Sequence, residues 1–173
     1  MTHPNKLARY SALAVRIGML LNGCLLAAIG IGLIASLVLG DKFTQIMLSM
    51  GSSSDIGDMT WGIRCLMMVG VLAFAVTQSI LVLLHRIVVS VAGGDPFAQS
   101  NSARIRFIAW ALLAIQLLDF PLMAIRHTFS GLEKIVPDNG LSLSGWLAVL
   151  MLFVLARIFA TGTSMQDYLN ETI

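Results

Sequence analysis

Four long apolar runs separated by three polar stretches set the pattern of this chain. The runs lie at about residues 11–40, 61–92, 103–125 and 141–161, and the first is broken only by Arg16 and Asn22. A bilayer core needs roughly 20 predominantly apolar residues per helical span, and each run reaches that length. The pattern therefore predicts an all-α membrane protein: four transmembrane helices in one bundle that occupies residues 1–173 as a single domain. The first run is about twice the 7–15 residues of a signal-peptide core, so it reads as an uncleaved helix.

Of the three polar stretches, residues 85–106 (HRIVVSVAGGDPFAQSNSARIR) carry basic residues at both ends and a turn signal in the middle. Gly93 and Gly94 suit a helix C-cap, and Pro96 disfavours helix at Asp95. Ser100, Asn101 or Ser102 then caps the third helix. In the stretch 41–60, Phe43, Ile46, Met47 and Met50 recur at helical spacing, as one short amphipathic turn would. Pro121 predicts a kink in the third helix. In the first helix, Ala28, Gly32 and Ser36 have the spacing that lets helix backbones approach closely in lipid. After residue 161 the chain reads as a short polar tail.

Composition supports the same class. Hydrophobic residues make up 57% of the chain and charged residues 12%, about half the charged share of a soluble domain, and the mean hydropathy is +0.86. A net charge of +2 gives no argument for direct nucleic-acid binding; the placement of the charges is more informative. Lys6, Arg9, Arg16, Arg86, Arg104, Arg106 and Arg157 fall on one side of the four spans, and Lys42, Arg64, Arg126 and Lys134 on the other. Basic residues concentrate on the cytoplasmic side, so both termini and the elbow 85–106 are expected inside. Cys24 and Cys65 lie within apolar runs and read as small apolar residues.

Candidate chemistry is sparse. Asp119 falls well inside the third run, where a carboxylate must face the bundle interior or water. Gln116 shares its helical face, Arg126 lies two turns further out, and Arg64 sits at similar depth on the second helix. Two readings follow: a proton or ligand site, or a buried pair that orders helix packing. Asn22, Thr77, Gln78 and Gln116 likewise either line a path or hydrogen-bond between helices. No nucleophile motif, phosphate loop or metal spacing appears, so neither catalysis nor a cofactor is expected.

Residues 94–110 (GDPFAQSNSARIRFIAW) and 155–173 (LARIFATGTSMQDYLNETI) resemble the paired signatures of the bacterial membrane family called domain of unknown function 2975. The elbow matches at Pro96, Phe97, Ala103, Arg104, Arg106, Ile108 and Trp110, with Asn101 in the polar position ahead of the arginines. The ending matches at Leu155, Ala156, Phe159, Gly162, Met165 and Asp167, while Arg157 stands where that family usually has an acid. The resemblance implies a four-helix membrane protein with no assigned reaction, and small helix-turn-helix regulators as a class of partner.

The reading that follows is a small regulatory or sensory membrane protein, not an enzyme, whose cytoplasmic elbow and tail bind a partner. Its candidate partner surface is Asp95, Pro96, Phe97, Arg104, Arg106, Met165 and Tyr168. Phe97 either packs on the tail face formed by Met165, Tyr168 and Leu169 or dips into the head-group layer. The alternative is a small transporter or channel subunit. Expected partners are the bilayer, a cytosolic regulatory protein and further copies of the chain.

Overall fold

A computed structural model describes residues 6–40, 42, 43, 45, 56–93, 99–129, 132, 136 and 142–171. Five helices account for most of them: α1 Lys6–Val38, α2 Ile56–Ala92, α3 Gln99–Leu117, α4 Asp119–Thr128 and α5 Leu143–Glu171. Four segments are long and apolar enough to cross a membrane: Arg9–Val38, Gly57–Ala92, Gln99–Thr128 (α3 with α4) and Leu143–Met165. Large apolar side chains are exposed along them, among them Leu20, Ile31, Leu72, Leu147 and Met151. A soluble monomer does not tolerate apolar patches of that extent, whereas lipid tails are a good solvent for them.

The helix bounds differ from the sequence reading in ways that have local causes. The helix α2 starts ahead of Trp61, with Asp58 in its first turn, where a carboxylate meets the positive end of the helix dipole. It stops at Gly93, whose N–H bridges the carbonyls of Val89 and Ser90 at 3.0 and 3.1 Å. The ending of the chain is not a tail after residue 161, because α5 continues to Glu171. Its hydroxyls are satisfied by the helix itself. Thr161 donates to the Arg157 carbonyl at 3.2 Å, Thr163 to Phe159 at 2.8 Å and Ser164 to Thr161 at 2.8 Å.

The helix is interrupted between α3 and α4 at Leu118, three residues before Pro121, the residue at which the sequence predicts a kink. Proline has no N–H to give the Leu117 carbonyl, so the ladder loses that rung. The backbone stays helical at Leu118 (φ −69°, ψ −15°), and Leu122 N–H resumes the bonding to the Leu118 carbonyl at 3.2 Å. Phe43 continues the chain beyond α1, its N–H on the Leu39 carbonyl at 2.9 Å. Ile46, Met47 and Met50 lie outside the described residues.

The chain groups into two compact units. One comprises Met1–Asn22, Val76–Gln116 and Leu143–Ile173; the other comprises Gly23–Ala75 and Leu117–Ser142. In the first, α3 supplies the core through Asn101, Ile105, Ile108, Ala109, Ala111 and Gln116. Among the described side chains of α5, Val149, Ala156 and Thr163 are buried, spaced by sevens on one stripe. Trp110 and Phe153 meet edge to face, with ring centroids 5.2 Å apart.

In the second unit, small residues bring α1 and α2 together, though not along the whole stripe expected. Ala28 is exposed. The contact line runs instead through Gly32, which faces Met67, then Ser36, which is fully buried, then Gly40, which faces Arg64. From the α2 side, Gly70 receives Ile29 and Gly62 receives Phe129 and Leu132.

Candidate functional site

The best-built polar cluster among the described residues lies where α2 ends and α3 begins. Asn101 was a candidate helix cap in the sequence, but α3 starts two residues earlier, at Gln99. Asn101 therefore falls in the first turn and is fully buried. Its Nδ2 donates to the Ser90 hydroxyl at 3.0 Å, and its Oδ1 accepts from Arg104 Nη1 at 2.8 Å. The same Arg104 nitrogen approaches the Arg86 carbonyl at 3.4 Å. A buried amide must find partners or lose their free energy, and here it finds one on each helix. The result is an arginine held against a buried amide and against the backbone of Arg86, whose side chain is exposed. Such a corner presents fixed donors and positive charge, which suits anionic or acidic groups.

The other candidate residues fall into place separately. Asn22 and Gln78 are hydrogen-bonded to each other, Asn22 Nδ2 donating to Gln78 Oε1 at 2.8 Å. Gln116 is buried and lies against Gly145, so closely that a Cβ added there would overlap its amide. Arg64 reaches back to α1: its Nη2 donates to the Ser36 carbonyl at 2.5 Å, and its guanidinium stacks on Trp61 at 5.1 Å. Ser36 is in the last turn of α1, where a cation is favoured by the dipole. Asp119 is half-buried in the first turn of α4, and Arg126 is half-buried in its last.

Not all of the candidate partner surface is described. Arg104 is half-buried, Arg106 exposed and Met165 exposed. Asp95, Pro96 and Phe97, together with the side chain of Tyr168, lie outside the described residues, and so does the contact between Phe97 and the tail. Ser90 was missed in the sequence. Its signal was its place four residues after Arg86, one turn along the same face of α2.

Four helices of spanning length, lipid-suited surfaces and polar groups paired between helices define a multi-pass membrane protein. Over residues 42–173 the chain matches the family described as protein of unknown function (DUF2975), and it belongs to that family. Neither a curated protein nor a solved structure matches it.

Proposed function

We propose that this protein is a small regulatory or sensory membrane protein, with no reaction of its own, whose cytoplasmic corner binds a partner. The observation that carries the reading is the Arg104 clamp. Arg104 is fixed by Asn101 and the Arg86 carbonyl, the Arg86 side chain is exposed next to it, and Arg106 is exposed two positions further along α3. A preorganised basic surface loses little entropy on binding an acidic partner. The alternative of a transporter or channel subunit asks the intramembrane amides to line a path. Asn22 and Gln78 instead satisfy each other, the usual use of such groups between membrane helices.

The test is affinity capture of the intact protein from native membranes, comparing wild type with Asn101→Ala and Arg106→Glu. The reading expects one cytosolic protein to be captured by wild type and lost with Arg106→Glu, and to be weakened by Asn101→Ala in a protein that still folds. Equal capture by all three would defeat it.

A further inference from the structure

The first turns of α1 border a cavity of about 580 Å³ lined by Arg9, Tyr10, Ala12, Leu13 and Arg16. That volume falls within the range of small-molecule sites, about 300–1,000 Å³. Positions 9, 12, 13 and 16 share one helical face by their spacing, so two cations bracket an apolar floor. Both arginines are exposed. Among the described residues neither has a hydrogen-bond or ion-pair partner within the protein, in contrast to Arg64 and Arg104.

Depth identifies what such a cavity meets. The apolar segment Arg9–Val38 has 30 residues, about 45 Å at 1.5 Å per residue. A bilayer with its head-group layers is about 40–45 Å thick. Arg9 therefore lies at the outer edge of one head-group layer. Arg16, about 10 Å deeper by helical rise, points its stem back toward that layer, as side chains on a helix tilt toward its N-terminus. Tyr10 is a residue type that favours this depth. Exposed guanidiniums at both ends favour a phosphate. Ala12 and Leu13 between them would be idle against a free anion but would touch the glycerol and first acyl carbons of a lipid.

We propose that this cavity binds an anionic phospholipid, with Arg9 and Arg16 bracketing its phosphate and Leu13 meeting the start of its chains. The tendency of basic residues to collect at one membrane face explains the charges, but not the cavity between them or its apolar floor.

The experiment is native mass spectrometry of the full chain released from detergent, titrated with phosphatidylglycerol or phosphatidylcholine, with inorganic phosphate as competitor. Wild type should retain phosphatidylglycerol about tenfold better than phosphatidylcholine. Arg9→Gln with Arg16→Gln should remove that preference. Lys42→Gln with Arg157→Gln, which removes the same net charge at exposed positions away from the cavity, should keep it within about twofold. Arg9→Lys with Arg16→Lys preserves the charge needed for insertion but lacks the planar fork, and should weaken the preference about threefold. The proposal is overturned if the control pair loses as much as the glutamine pair, or if the preference survives the lysine pair undiminished. It also fails if millimolar phosphate displaces the lipid completely, since the site would then take a soluble anion.

Discussion

Arg64 shows how a charge is accommodated at the end of a membrane helix. Its guanidinium is spent on a backbone carbonyl 28 positions away, over a glycine that leaves room for it and beside a tryptophan face. Removing it leaves the Ser36 carbonyl short of a charged donor, and such bonds contribute about 1.5–3 kcal/mol. Arg64→Ala is expected to lower unfolding stability in detergent by that amount, with Arg64→Lys restoring only part because lysine cannot both donate and stack. None of this was legible in the sequence, which suggested Asp119 as a neighbour for Arg64. A carboxylate advertises itself by residue type, whereas every residue has a carbonyl, so a helix end that needs a donor leaves no mark. Asn22 was legible, because an amide in an apolar run must be paired, but its partner Gln78 had to be found by folding.

At the scale of elements, packing depends on a few positions where a side chain lies directly on glycine. Gly145 lies beneath Gln116, and Gly62 beneath Phe129 and Leu132. Overfilling a packed interior costs about 1–3 kcal/mol. Gly145→Ala and Gly62→Ala should each destabilise the protein by about that much in a thermal melt, while Gly30→Ala, with open space around it, should not. The interruption between α3 and α4 makes a different prediction. Pro121→Ala supplies the missing N–H to the Leu117 carbonyl, so hydrogen exchange at positions 118–122 should slow.

The four spans themselves were legible because length and apolarity are properties of whole segments. Their ends were less so. The apolar run of the fourth span stops near Thr161, and the polar residues after it read as a tail. In α5 the hydroxyls of Thr161, Thr163 and Ser164 bond back to the preceding turn, a use that residue type alone does not distinguish.

For the whole molecule the decisive measurement is topology. With both termini and the elbow inside, cysteines introduced at Ser53 and Asn139 should label with an impermeant reagent from outside, and a cysteine at Ser100 only after the membrane is opened. Labelling at position 100 in sealed cells would reverse the orientation and move the Arg104 corner to the other side of the membrane. The family match covers residues 42–173 and leaves out the whole of α1, so the arginine pair on that helix belongs to the part of this chain outside the match.

The unbroken course of α5 from Leu143 to Glu171 has a mechanical consequence. A polar ending joined by a loop would be a tether, able to swing without disturbing what lies in the membrane. Joined without a break, it is a shaft. Whatever grips its last turns also turns Thr163, Ala156, Val149 and the glycine beneath Gln116, because one continuous hydrogen-bond ladder connects them.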